Sequence, residues 1–240
     1  MHTVIKLRLF CLLNVFFLFN GVFAETAWEI PEREIEILLD GFLDEWVDVP
    51  SMMLAPGEEG LLSGGEFGEG DLEVKIMALW DKEYLYLALD WQDDVWDIRD
   101  VPRREAVWID PDGTRRDRMF FFDNLKFHIR ESDYDYTMWV SPRAHDEGPH
   151  FWSRLLEGYG GMERATSAPM ITARNHGGHV TLEVVLVWKQ LRIKPDKDRA
   201  LPLRLVVADA DLPGKQLETK LKQLKWVGWK GQLKIVEADR

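Results

Sequence analysis

The 240-residue chain holds a single cysteine, Cys11. That excludes an intrachain disulfide framework and any zinc or iron–sulfur site built on cysteines. Basic residues are also scarce, with 30 Lys and Arg against 42 Asp and Glu, for a formal charge of −12. A surface of that sign repels phosphate backbones, so nucleic acid is not an expected partner, whereas neutral sugars and cations are acceptable. Long apolar runs are missing beyond the N-terminus. The one at Leu9–Phe19, broken only by Asn14, is shorter than the roughly 20 residues a bilayer-spanning helix needs. It follows Lys6 and Arg8 and runs into Val22-Phe23-Ala24. A short basic region, an apolar core and small residues at a cut site describe a secretory leader cleaved after Ala24. The expectation is a secreted or periplasmic protein with no integral membrane segment after cleavage. Cys11 leaves with the leader, and so do two positive charges.

What is present points to strands. Val74, Ile76 and Ala78 alternate with Lys75 and Met77; Leu85, Leu87, Leu89 and Trp91 alternate with Tyr84, Tyr86 and Asp90, and Asp81-Lys82-Glu83 between them reads as a hairpin turn. Further strands are predicted at Leu125–Ile129, Tyr136–Val140, Met170–Arg174, Val180–Val187, Leu203–Ala208 and Leu233–Val236. Helical signals are few. Glu45–Val49 and Trp188–Leu191 each allow one turn, and Gln216–Leu224 puts Leu217, Leu221 and Leu224 on one face. Pro56–Asp71, rich in Gly and Glu without periodicity, reads as a long surface loop. Eight or more strands with little helix and no repeat predict an all-β antiparallel sandwich of jelly-roll kind, with one or two short helices. Residues 25–240 read as a single domain, and with no disulfide its stability has to come from a buried core.

Four motifs in order carry a resemblance. Leu39-Asp40-Gly41-Phe42-Leu43-Asp44-Glu45-Trp46 is similar to an opening I-D-G-x-x-D-E-x-W. Val74 to Leu89, through Leu79-Trp80-Asp81 and Tyr84-Leu85-Tyr86 and followed by Asp93-Asp94, is similar to a V-x-V-L-W-D-x-x-Y-L-Y-V hairpin with its trailing Asp. Asp123 to Ile129 stands in the place of D-S-V-E-I-F-I-D. Gly178 to Leu191 stands for G-Y-x-V-E-x-x-I-x-W-x-x-L, with the strand from Leu203 to Asp211 following. Together, over most of residues 35–211, these resemble the family 9 carbohydrate-binding modules. The resemblance implies a β-sandwich that holds a sugar between aromatic rings and is linked to polysaccharide breakdown. Glu183, inside an apolar strand, is expected to be a paired structural carboxylate, because a buried charge requires partners.

The site positions that the resemblance implies are altered in this chain. The family's sugar-facing Trp falls at Phe120, its Glu at Lys126, and its Arg on the next strand at Met138 or Trp139. Arg143 and Trp152, in a segment that also holds His145 and His150, and Trp226 and Trp229 near the C-terminus, where the family keeps a second stacking Trp, supply replacement anchors. The expected ligand-binding set is therefore Phe120, Lys126, Trp139, Arg143, Trp152, Trp226 and Trp229, with Trp229, Trp152 and Trp108 expected to be exposed. Asp93 and Asp94, with Asp110-Pro111-Asp112-Gly113 beyond them, make an oxygen-rich set suited to a hard cation, and calcium is the candidate; the alternative is a solvated acidic loop.

Three other functions fit parts of the sequence. A haem-binding electron-transfer domain of the same architecture would need two axial ligands, for which Met138, Met162, His128, His145 and Lys126 are available. A glycoside hydrolase would need two carboxylates flanking a cleft, for which Asp133 with Asp135 or Glu105 with Asp110 are available. No G-x-S-x-G elbow and no His/Cys zinc spacing occurs. A plain interaction domain could use the Lys- and Leu-rich tail from Pro213 to Arg240.

Overall fold

The computed structural model describes residues 26–96, 107–109, 115–117, 122–142, 149–158, 162–164, 167–177, 179–211 and 224–237. Two sheets face each other. The smaller contains β2 (Ser51–Leu54), β4 (Leu72–Trp80), β5 (Tyr84–Asp93), β12 (Met170–Asn175) and β13 (His179–Val187), in the order β12-β13-β5-β4-β2. The larger contains β1 (Ala27–Pro31), β3 (Leu62–Gly64), β8 (Asn124–Glu131), β9 (Tyr134–Ser141), β10 (His150–Glu157), β11 (Met162–Arg164), β14 (Ala200–Asp209) and β15 (Lys225–Val236). Its order is β1-β15-β14-β8-β9-β10-β11, with β3 also on β15. A short ribbon, β6 (Val107–Ile109) with β7 (Arg115–Asp117), stands apart. All pairings in the two sheets are antiparallel except β1 with β15. This is the all-β sandwich expected from the alternation.

The core is the product of that alternation. Leu125, Phe127 and Ile129 of β8 and Leu203, Leu205 and Val207 of β14 point inward from the larger sheet. They meet Val74, Ile76, Leu85, Leu87, Leu89, Leu182, Val184 and Leu186 of the smaller one, all buried. Trp80 and Trp188 close the hairpin end. Their indole N–H groups donate to Val236 O (2.9 Å) and Asp81 O (3.0 Å), so each ring seals apolar surface without leaving its polar atom unpaired. Asp81 stiffens the β4–β5 turn by accepting from the Glu83 and Tyr84 backbone N–H groups, both at 2.8 Å. Burial and these donors act in opposite directions, and its carboxyl stays below the usual range.

The smaller sheet is apolar on its outer face as well, and the chain covers that face itself. Trp46, on the 3₁₀ turn Asp44–Trp46, packs with Met77, Leu79, Tyr86, Ala88 and Val185, and Ile37, Leu39, Leu43 and Val49 surround them. Glu183 anchors this cover. Fully buried on the outer side of β13, it accepts from Gly41 N (2.8 Å), Asp40 N (3.1 Å) and Trp46 Nε1 (3.1 Å). The carboxylate expected to need partners therefore has three donors, and all three lie in the Asp40–Trp46 motif. Gly41 takes φ +82°, and a Cβ there would stand 2.9 Å from Arg174 Cβ, so the turn that presents its N–H requires glycine.

Some expectations need correction. Pro56–Asp71 is not wholly loop: Leu62–Gly64 forms β3 against Trp226–Gly228. The last strand begins at Lys225, eight residues before the predicted start at Leu233. Its first half, Lys225-Trp226-Val227-Gly228-Trp229-Lys230, carries aromatic and glycine residues that blur the alternation. The strands β1, β2 and β10 also went unmarked by periodicity. The turns at Glu45–Val49 and Trp188–Leu191 are present in short form. Residues 216–223 of the expected tail helix lie outside the described residues. Among the described residues no helix is long and apolar enough to cross a membrane.

Candidate functional site

Because β8, β9, β10 and β14 turn one set of side chains to the core, the alternate set lines the outer face of the larger sheet. Strand register places these side chains in rows. One row reads Gly228, Val206, Lys126, Trp139, Trp152 across β15, β14, β8, β9 and β10; the next reads Lys230, Arg204, His128, Thr137, Arg154. The rings of Trp139 and Trp152, directly opposite on neighbouring strands, lie 4.6 Å apart at 56°. Lys126 Nζ sits 5.1 Å from the Trp139 ring centroid and Arg154 Cζ 5.5 Å from that of Trp152, both within cation–π range. All four side chains are half-buried. Trp226 stands on the same face at its β15 margin, packed so closely on β3 that a Cβ on Gly64 would lie 2.3 Å from its Nε1.

Positive charge dominates the face. Among described residues on the outer side of β8, β9, β10, β14 and β15, Asp135 is the one acid, and it is already engaged by His128 Nε2 (2.7 Å) and Arg130 Nη2 (3.1 Å). The hydrogen bond from His128, more than the opposing burial, holds its carboxyl down at about 2. A carboxyl depressed by folding stabilises the native state above its unfolded value near 3.8, and that contribution fades as pH falls toward 2. Asp135→Asn should therefore lose roughly 1–2 kcal/mol at neutral pH and unfold with a flatter pH dependence between those values; acid titration of thermal unfolding reads both. Burial, then the charges of Arg204 and Arg154, lower the Lys126 ammonium. Burial alone lowers Arg204.

The predicted ligand set divides. Lys126, Trp139 and Trp152 come together, with Trp226 at the margin. Phe120 and Arg143 lie outside the described residues, as does the side chain of Trp108. Trp229, expected to be exposed, is instead core. It is 6% exposed, meets Trp28 edge-on at 6.4 Å and donates its N–H to Thr26 Oγ1 (3.1 Å). It falls on the inward phase of β15 with Val227 and Leu233, a consequence of the early start of that strand. Trp152 is half-buried and strand-borne, not on a loop. Arg154 and Arg204 were missed. Leu203-Arg204-Leu205 does show Arg204 on the outer phase of β14, but Phe151 to Leu156 lacks the clean alternation that would have shown Arg154.

A second cluster sits where the ends of β5 and β14 meet the starts of β4, β8 and β15. Asp93, Asp123 and Asp209 are buried and offer carboxylate oxygens within 4.8 Å of one another; so do Asp93, Asp94 and Asp211, and Asp71, Asp209 and Asp211. Lys225 enters the last group, bonded to Asp71 and Asp211 and 3.2 Å from Asp209 Oδ2. Asp123 Oδ1 accepts from Ala210 N (2.8 Å). Among the described cations, Asp209, with no exposed surface, meets only the Lys225 ammonium, which it shares with Asp71 and Asp211, and Asp93 has no donor on Oδ2 among the described residues. Burial first, and then neighbouring acids, drive Asp93 up to about 8 and raise Asp209. So many carboxylates beside one ammonium cannot all ionise without further positive charge. The donor set is all oxygen, which suits a hard cation. Asp93 and Asp94 were expected there; Asp110 and Asp112 lie outside the described residues. Asp123, Asp209 and Asp211 were not anticipated, because they are brought together from separate strands.

The rival readings meet geometry of their own. Met138 points into the core while Lys126 and His128 lie on the opposite face of the same sheet, so no such pair ligates one iron. Asp135 is held by His128 and Arg130, and Asp133 O accepts from Gly158 N in the turn beyond it.

No family model matches the sequence, and no curated protein does. Solved structures do match in fold. A family 9 carbohydrate-binding module from Caldicellulosiruptor kristjanssonii in complex with cellotriose superposes at a TM-score of 0.54 with 11% identity, over 89% of this chain and 95% of that one. The complex of such a module with glucose gives the same score and identity. A candidate carbohydrate-binding protein from Bacteroides uniformis gives 0.55 at 9% identity, over 88% of this chain and all of that one. The chain has the fold of the family 9 modules.

Proposed function

We propose that this chain is a carbohydrate-binding protein, exported by its leader, and that the sugar lies on the outer face of β8, β9 and β10. The observation that carries this reading is the pair of Trp139 and Trp152 rings, side by side on rigid strands with charged and polar groups around them. A pyranose presents apolar C–H faces and a belt of hydroxyls, so it needs aromatic area beneath and hydrogen-bonding groups at the rim. Lys126 and Arg154 stand against the rings. Their strands fix the backbone beneath these groups, which limits the ordering that binding requires. The shared fold with modules solved on cellotriose and glucose supports the same reading.

A glycan array of the purified protein tests it. Trp139→Ala and Trp152→Ala should each weaken a positive signal about tenfold or more, with thermal stability little changed. Trp229→Ala, by contrast, should lose about 3–5 kcal/mol of stability through the core. Binding that survives both surface substitutions in the folded protein would rule out this face.

We also propose that Asp93, Asp123 and Asp209, with Asp94 and Asp211 at the edge, hold calcium in a structural role. The observation that favours it is the buried pair of Asp93, whose Oδ2 has no donor, and Asp209, whose one cationic neighbour among the described residues is the shared Lys225 ammonium. The cation would neutralise the acids that tie the strand ends of the two sheets together.

A further inference from the structure

The binding face has the opposite sign from the rest of the molecule, and that identifies the chemical class of the ligand. Lys126, Arg154 and Arg204 sit half-buried on β8, β10 and β14, within four adjacent strands of a chain whose net charge is −12. Among the described residues, Arg204 has no hydrogen bond or ion pair. Arg154 has only the Trp152 ring, and its Nε is buried without an acceptor. Lys126 has only the Trp139 ring, and both guanidinium groups are near enough to disfavour its charge. Asp135, the one acid among the described residues on the outer side of β8, β9, β10, β14 and β15, is committed to His128 and Arg130. Partly desolvated guanidinium groups without carboxylates are unfavourable unless something supplies the missing acceptors. A neutral sugar satisfies some donors but leaves three like charges uncompensated.

We infer that this face binds an acidic saccharide, its rings stacked on Trp139 and Trp152 and its carboxylate or sulfate groups engaged by Arg204, Lys126 and Arg154. This rests on the carbohydrate reading and narrows it. Arginine suits both anions because its planar fork meets two oxygens at once. The cationic row spans three strand spacings, about 14 Å, so neighbouring residues of one oligosaccharide can reach Arg204 on β14 and Arg154 on β10 together. His128, between Arg204 and Thr137, keeps its side chain turned to Asp135, which leaves the two arginines as the principal anion donors.

Calorimetric titration of the purified protein with an oligogalacturonate, a sulfated galacto-oligosaccharide and a neutral galacto-oligosaccharide of the same length tests the inference. The first two arms separate carboxylate from sulfate. At least one acidic ligand should bind about tenfold or more tighter than the neutral one at low salt, and that advantage should shrink as salt rises and the Debye length contracts. Arg204→Gln and Arg154→Gln should each weaken acidic binding about tenfold while changing neutral binding little. Asp135→Asn should strengthen the acidic ligand, and Lys82→Gln, on the distant hairpin, should change nothing. Lys126→Gln serves as the further variant if an arginine substitution disturbs folding by circular dichroism. Equal affinity for neutral and acidic ligands, unaffected by the arginine variants, would overturn the inference and leave carbohydrate binding standing. A folded protein that binds no saccharide of either kind would remove both. Single-stranded DNA bound as tightly as the acidic saccharide would also overturn it, showing a face that takes polyanions regardless of their rings.

Discussion

Glu183→Ala should destabilise the protein by about 4 kcal/mol, read as a fall of roughly ten degrees in the thermal midpoint by circular dichroism. The substitution leaves the Asp40 and Gly41 backbone N–H groups and the Trp46 indole without their acceptor, the Gly41 and Trp46 donors buried and that of Asp40 partly so. Each buried orphan donor costs about 1–3 kcal/mol, and the loss also frees the Ile37–Val49 cover from the apolar outer face of the smaller sheet. Burial raises the Glu183 carboxyl, while the donors of Gly41, Trp46 and Asp40 oppose that rise, so the ion is tolerated only because they converge on it. Glu183→Gln keeps one carbonyl oxygen but turns an amide toward donors, and should recover about half of the loss. Limited proteolysis should then cut first within residues 33–49 of the alanine variant. A midpoint unchanged by Glu183→Ala would mean that the cover is held by apolar contact alone.

Calcium should stabilise the folded protein by about 3 kcal/mol at a concentration a hundredfold above its dissociation constant, and a chelator should reverse this. For a chain of this size that is a shift of roughly 5–10 °C. Asp209→Asn is the informative variant. It keeps the shape of the side chain, removes the most deeply buried carboxylate charge of the cluster, and should abolish most of the response to calcium. Because the amide carries no charge, the same substitution should leave the metal-free protein as stable as the parent or more so. Asp94→Asn, at the exposed edge, should reduce the response less. An identical calcium shift in the parent and in Asp209→Asn would place any bound cation elsewhere. Lys225→Gln removes the ammonium between Asp71, Asp209 and Asp211, and should make the protein depend more strongly on the added cation.

The sandwich was legible in the sequence because strands buried on one face, or on both, announce themselves locally. Val74–Ala78, Leu85–Trp91, Leu125–Ile129 and Leu203–Ala208 alternate cleanly, and all four are central strands whose neighbours on both sides enforce the pattern. Of the edge strands, Met170–Asn175 was legible and others were not. Ala27–Pro31, Ser51–Leu54 and Leu62–Gly64 are short, pair on limited stretches, and owe their conformation to the strands they join. Glu183 was legible for a different reason: a lone acid in an apolar strand poses an electrostatic problem that needs partners. Its donors, which lie more than 130 residues earlier in the chain, were not.

The candidate sites divide along the same line. Lys126 and Trp139 were reached through the family resemblance, which left Met138 or Trp139 open; strand register puts Trp139 on the outer face and Met138 in the core. Trp152 was singled out for its ring, and the register of β9 with β10 is what places it opposite Trp139. Trp229 shows the limit of counting tryptophans, because moving the strand start to Lys225 decides whether position 229 faces the core or solvent.

The sequence by itself determined the sheet-forming pattern, the acidic balance and the need for a core without disulfides, because these are sums or short-range periodicities along the chain. Only the tertiary structure decided that Asp93, Asp123 and Asp209 share one buried point, and that Arg154, Lys126 and Arg204 share one cationic face. Those groupings depend on strand order and register, which are set by how two whole sheets bury their apolar sides together. No local stretch of residues contains that information.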